Sequence, residues 1–105
     1  MPEVSSAPPG LGLISRPFLL GKIIVWFVYI LYSKKIDKYY TGITDNLEWR
    51  LQRHNEGWGR FTKGGIPWEL VYFEKYLTKS EALHRERSIK RRKSRKYVEE
   101  LIKDK

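Results

Sequence analysis

Apolar positions along this chain fall into short blocks, and their spacing changes from strand-like to helix-like as the chain proceeds. From Ile23 to Tyr32 every residue is apolar or aromatic, and the β-branched and aromatic run Trp26–Tyr32 suits a strand. The polar segment Ser33–Lys38 interrupts it and Tyr39–Thr44 resumes it, which predicts an antiparallel hairpin. Gly42, inside the second arm, marks either a bulge or a place where another group comes close. Asp45 offers a carboxylate to cap a helix over Asn46–Asn55, whose apolar stripe is Leu47 and Leu51 and whose end is near Gly57. A loop with Gly57, Gly59, Gly64, Gly65 and Pro67 leads to a third strand, Trp68–Tyr76. Thr78 and Glu81 form a capping box for a second helix with Ala82, Leu83 and Ile89 inward. Val98, Leu101 and Ile102 play the same part in a last helix that starts near Ser94. The predicted order is β-β-α-β-α-α, an α+β arrangement with no internal repeat.

Met1–Lys22 holds four of the five prolines and follows neither period, so residues 1–24 read as a disordered or extended tail before a domain at 25–105. The ten apolar residues Ile23–Tyr32 are too few to cross a bilayer, and Ser33, Lys34 and Lys35 after them do not form an export cleavage site. No membrane association is expected. A chain of 105 residues, 41% of them hydrophobic, supports one core, and four Trp, seven Tyr and four Phe fill it. The lack of cysteine removes disulfides, thiolate zinc sites and cysteine nucleophiles, and fits a cytoplasmic location. A formal charge of +9 makes nucleic acid the leading partner, with no obligate protein partner expected. Charge alone is equally compatible with generic basicity.

Candidate chemistry lies in four places. Arg50 and His54 are four apart on the first helix and project as neighbours at the border of its apolar stripe, or else lie on an ordinary exposed face. Glu86 shares the inward face of the second helix with Ala82 and Ile89; a carboxylate there requires a cation, either a hard metal ion or a base such as Arg50. Tyr29 and Tyr40 meet if their strands present them on one face, although core packing is the commoner use of such tyrosines. The run Lys90, Arg91, Arg92, Lys93, Ser94, Arg95, Lys96 at the end of the second helix suits phosphate contact, as does Lys63 in the basic aromatic loop; a solvated basic face is the alternative.

As a set, Val28-Tyr29-Ile30, then Tyr40-Thr41-Gly42 eleven positions after the first tyrosine, then Arg50, His54-Asn55 and the glutamate after Ser-Glu-Ala-Leu resemble the GIY-YIG nuclease family. The resemblance covers roughly Trp26–Lys96 and is greatest to short single-domain bacterial members related to the nuclease domain of the excision-repair incision subunit. The two name-giving triplets stand here as VYI and YTG. The resemblance implies a three-stranded antiparallel sheet flanked by helices. It also implies that Tyr29 and Tyr40 line the cleft, Arg50 faces the scissile phosphate, His54 assists, and Glu86 is the sole protein ligand of one Mg²⁺ or Mn²⁺ ion.

Phosphodiester hydrolysis needs an activated water, relief of phosphoryl charge and neutralisation of the leaving oxygen. A phenol of ordinary pKa near ~10 is a poor base, so Tyr29 needs neighbouring cations for that task. One carboxylate is a weak cage, so metal binding is expected to need substrate phosphate and waters. The expected activity is metal-dependent endonucleolytic cleavage of DNA. The alternative is a non-catalytic nucleic-acid-binding module of the same fold. A basic structural protein of a ribonucleoprotein is a third reading, and it leaves the inward Glu86 without a purpose.

Overall fold

The computed structural model describes residues 22–104 together with Phe18–Leu19. The expectation for residues 1–24 falls mostly outside them; the described part of that stretch forms a short antiparallel ladder of β1 (Phe18–Leu19) with β2 (Lys22–Ile23). The elements that follow are β3 (Trp26–Ser33), β4 (Lys38–Thr44), α1 (Leu47–Asn55), β5 (Trp68–Tyr76), α2 (Lys79–Arg92) and α3 (Arg95–Lys103). Strands β4, β3 and β5 make a three-stranded antiparallel sheet in that order, so β3 is central. The fold is α+β, with the predicted order β-β-α-β-α-α after the short ladder.

Both faces of β3 are covered, which is why its sequence reads as a continuous apolar run rather than an alternating one. Register pairs place Tyr29 and Leu31 on one face with Gly42, Tyr40, Phe73 and Leu70. That face packs on Leu47 and Leu51 of α1. Trp26, Val28 and Ile30 point the other way with Ile43, Tyr72, Glu74 and Tyr76. There Ala82 and Ile89 of α2 are buried against the sheet, with Leu83, Val98 and Leu101 packed around them. The sheet therefore separates a layer containing α1 from a layer containing α2 and α3.

The structure changes three details of the sequence reading. The cap of α1 is Asn46, not Asp45. Thr44 Oγ1 accepts from the Asn46 N–H at 3.1 Å and donates to its carbonyl at 3.2 Å, which leaves Asn46 as the extended residue whose side chain accepts from Trp49 N. The strand irregularity falls on Val71, the extra residue between the pairs Ile30–Tyr72 and Leu31–Leu70, while Gly42 stays in regular register. The basic run does not simply end α2. Lys93 adopts a left-handed conformation (φ 49°) that terminates α2, and Ser94 caps α3 through Tyr97 N, so the cations are divided between two helices.

Two polar ties hold the α2/α3 layer. The Glu74 carboxylate accepts from Arg85 Nε at 2.9 Å and Nη2 at 3.1 Å, and from the hydroxyls of Tyr72 and Tyr76. Burial alone would raise the Glu74 pKa, but the hydrogen bonds from Arg85, Tyr72 and Tyr76 outweigh it and hold the carboxyl below its usual range. Arg85 also reaches the Tyr97 hydroxyl at 3.1 Å, which joins β5, α2 and α3. At the other end, Arg95 of α3 binds Asp37 in the β3–β4 turn at 2.7 Å and Glu99 at 3.0 Å.

Candidate active site

The α1 layer brings Tyr29, Tyr40 and His54 together, one from each of three elements. Tyr29 lies opposite Gly42 in the β3–β4 ladder, and its ring lies across that glycine: a Cβ at position 42 would come 2.6 Å from Tyr29 Oη and 2.8 Å from Cζ. A glycine is needed here for space. The Tyr29 ring lies 6.3 Å from that of Tyr40 and 6.0 Å from the His54 imidazole, and the Tyr40 ring stands edge-on to His54 at 5.0 Å.

His54 is only 5% exposed, which rules out the ordinary exposed-face reading for it. Its Nε2 lies 3.0 Å from Tyr29 Oη and its Nδ1 lies 2.8 Å from Thr62 Oγ1. Burial, reinforced by the nearby positive charge of Arg50, lowers the imidazole pKa from 6.5 to about 4. The ring is therefore neutral near pH 7 and carries one N–H between its two partners. Arg50, one turn earlier on α1, is half-buried.

The loop after α1 is built to hold this ring. Thr62 is 1% exposed, and its Oγ1 lies 3.4 Å from the Gly59 carbonyl. Its own carbonyl accepts from Trp68 Nε1 at 2.6 Å. A Cβ on Gly59 would collide with Thr62 Oγ1 and stand 3.0 Å from His54 Nδ1, so the loop approaches the imidazole with its bare backbone. Asn55 clamps the end of α1 to β5, accepting from Trp68 N–H at 2.6 Å and donating to its carbonyl at 3.0 Å.

Residues 25–98 match the GIY-YIG catalytic domain family. The chain belongs to that family. It is 46% identical over 65 residues to a UPF0213 protein of Oceanobacillus iheyensis, covering 61% of this chain and 74% of that one. A UPF0213 protein of Haloquadratum walsbyi is 41% identical over 78 residues, 70% of this chain and 86% of its own. The solution NMR structure of a UPF0213 protein from Bacillus halodurans superposes with a TM-score of 0.50 at 34% identity, covering 78% of this chain and 86% of that one.

In this GIY-YIG domain Glu86 stands apart from the aromatic group. It belongs to α2, in the layer on the other side of the sheet, and that helix packs against the edge strand β4. Its side chain is 13% exposed and pairs with Lys90 Nζ at 3.0 Å, the same ammonium lying 5.8 Å from the Tyr40 ring centre. Lys90 thus connects Glu86 to the site around the β4 edge. The expected pairing of Glu86 with a base is present, and the base is Lys90, one helical turn away. Among the described residues no three His, Cys, Asp or Glu side chains gather as a metal cage. A lone, largely inward carboxylate suits a hard ion that takes its remaining ligands from phosphate and water.

The basic run is unevenly employed. Arg95 is bound to two carboxylates, the Arg92 guanidinium lies 4.0 Å from the Tyr97 ring centre, and Lys90 is paired with Glu86. Arg91, Lys93 and Lys96 are exposed, as is Lys63. A cleft of about 370 Å³ lies between the β3–β4 turn and the α2–α3 junction, and Lys38, Lys90, Lys93 and Arg95 line it with Asp37. Sequence reasoning missed Thr62 and Gly59, whose importance depends on a loop geometry that no periodicity records. It also missed Trp49, Trp58 and Phe61, which are 46%, 70% and 88% exposed on α1 and this loop. Trp49 lies off the Leu47/Leu51 stripe, a signal available in the sequence.

Proposed function

We propose that this GIY-YIG domain is a metal-dependent endonuclease that hydrolyses phosphodiester bonds in DNA, with Tyr29, Tyr40, Arg50, His54 and Glu86 as its working residues. The observation that carries the reading is the buried Tyr29–His54–Thr62 chain beside Arg50. Thr62 donates towards the Gly59 carbonyl and accepts from His54 Nδ1–H, which leaves Nε2 as a bare acceptor for the Tyr29 O–H. Neutral His54 holds the phenol O–H as an acceptor and so fixes the Tyr29 oxygen, which orients the attacking water. Arg50 balances the charge that builds on the phosphoryl oxygens, and Tyr40 closes the aromatic wall on the other side of the imidazole.

Glu86 would hold a single Mg²⁺ or Mn²⁺, which when bound supplies charge neutralisation at the phosphate and the leaving oxygen. In this arrangement Lys90 leaves Glu86 as substrate arrives and turns to phosphate. Arg91, Lys93, Lys96 and Lys63 supply the sequence-independent attraction to the backbone, with Arg92 and Arg95 holding the helices that present them. The binding-module alternative has the same basic surface but gives no use to a neutral, buried imidazole bound to a phenol beside Arg50.

Supercoiled plasmid incubated with Mg²⁺ or Mn²⁺ distinguishes the two. The endonuclease converts it to nicked circles, and His54→Ala or Tyr29→Phe reduces the rate by about 10²-fold or more. Retained DNA binding with no nicking by the wild type under either metal contradicts the enzyme reading and leaves the module.

A further inference from the structure

The exposed aromatic residues fall within one stretch of the chain, α1 and the loop after it. Apart from Ile36 and Leu77, both aliphatic and distant in sequence, the exposed large hydrophobic side chains among the described residues are Trp49, Trp58 and Phe61. Each of the two tryptophans contacts the same cation: the Arg53 guanidinium lies 4.8 Å from the Trp49 ring centre and 4.3 Å from that of Trp58. Arg50 approaches Trp49 from its own position at 5.6 Å. The guanidinium orders the two indoles at low entropic cost and leaves most of Trp58 and nearly all of Phe61 open to solvent. Exposed aromatic area of this kind on a small domain marks a binding surface.

Its chemistry selects the occupant. Residues 49–63 carry Arg50, Arg53, Arg60 and Lys63 against the single carboxylate of Glu56. They expose no large aliphatic side chain, Leu51 being turned into the core. An apolar protein surface would favour aliphatic contact without interleaved cations. A polymer of flat rings on an anionic backbone matches both features, because bases stack on aromatic faces while guanidinium and ammonium groups meet phosphate. Unpaired bases are required, since bases in a duplex already stack on one another. The surface also adjoins the site in sequence, Trp49 preceding Arg50, Arg53 preceding His54 and Phe61 preceding Thr62.

We propose that Trp49 and Trp58, ordered by Arg53, form together with Phe61 a stacking platform for the unpaired bases of single-stranded nucleic acid. This deepens the nuclease reading and rests on it for the substrate's destination: the domain takes single strands, or the single-stranded arm of a branched molecule, across α1 towards Arg50 and His54.

Fluorescence anisotropy in EDTA, where no cutting occurs, tests it with labelled oligo(dT), oligo(U) and a blunt duplex of equal length. Wild type binds at least one of the oligomers more tightly than the duplex. In Trp58→Ala/Phe61→Ala, affinity for that oligomer falls by about tenfold per ring, while duplex affinity changes by less than about threefold. Both rings are exposed, and an unchanged circular dichroism spectrum verifies the fold of the variant. Equal losses on all three probes, no loss on any, or a wild-type preference for duplex overturns the proposal. So does a wild-type dimer in sedimentation velocity that the double variant dissolves, because the surface is then a protein contact. The binding assay and plasmid nicking fail independently: platform-dependent binding without cutting removes the nuclease reading alone, and cutting without platform dependence removes this one alone.

Discussion

Replacing Thr62 with valine removes one oxygen from the interior and almost nothing else. The side chain keeps its shape, and the Thr62 carbonyl keeps its bond from Trp68 Nε1, so the loop stays anchored. What disappears is the acceptor 2.8 Å from His54 Nδ1 at a position 1% exposed. Two responses are open to the ring. It can keep the proton on Nδ1 as a buried donor with a methyl group in place of its acceptor, which costs about 1–3 kcal/mol. It can instead move the proton to Nε2, where it opposes the O–H of Tyr29, and the phenol must then turn to another acceptor. Urea unfolding should show a loss of about 1–3 kcal/mol without a change in slope. Nitrogen-15 spectra of the imidazole should show the proton on Nδ1 in the wild type and a shift of population towards Nε2 in the variant. A wild-type proton already on Nε2, or a variant as stable as wild type with the Nδ1 proton in place, refutes this direction of the Tyr29–His54–Thr62 hydrogen bonds.

Three further outcomes follow from the same contacts. Gly42→Ala forces the Tyr29 ring off its place, since the new methyl would sit 2.6 Å from Oη; a loss of about 1–3 kcal/mol and of the Tyr29–His54 hydrogen bond is expected in unfolding and NMR, and an unperturbed Tyr29 contradicts it. His54 should titrate near pH 4 in the folded protein against 6.5 unfolded. Because the folded value is the lower one, the unfolded chain takes up the proton first as pH falls; stability is whole above about 6.5 and drops by up to roughly 3 kcal/mol towards pH 4. His54→Gln should flatten that part of the stability profile, and a native midpoint near 6.5 argues against a sealed ring. Arg85→Ala leaves the Glu74 carboxylate without its cation and should cost about 3 kcal/mol at pH 7, less in acid where the carboxyl is protonated, as read by denaturation at both pH values.

The hairpin, the three helices and the central strand were legible because each obeys a local rule. Both faces of β3 are buried, and its residues are apolar throughout; Leu47 and Leu51, and Ala82 and Ile89, keep helical spacing. Tyr29 and Tyr40 were marked out by the resemblance, because spacing alone selects no pair among the seven tyrosines; the register then places both rings on the α1 face. Asn46 displaced Asp45 as the cap because a threonine two residues earlier sets where the chain turns, and either side chain is competent to cap. The division of the basic run was hidden because Lys93 adopts the left-handed conformation that glycine usually supplies. Thr62 was illegible because its role arises from a loop folding back on a helix that precedes it by eight residues. The layer holding Glu86 was implied by the order of elements, but its approach around the β4 edge through Lys90 depends on side-chain reach that no pattern of spacing encodes.

In the proposed mechanism a lone carboxylate on α2 serves, through one divalent ion, a phenol–imidazole pair in the opposite layer. Its most direct measurement is the nicking rate of Glu86→Gln across a Mn²⁺ titration in the presence of DNA, compared with the wild type. The substitution keeps size and hydrogen bonding while removing the charge. Wild-type nicking that rises with Mn²⁺ and a Glu86→Gln rate lower by about 10²-fold or more at every concentration, with DNA affinity retained, is the predicted result. Equal Mn²⁺-dependent rates for the two proteins would contradict it.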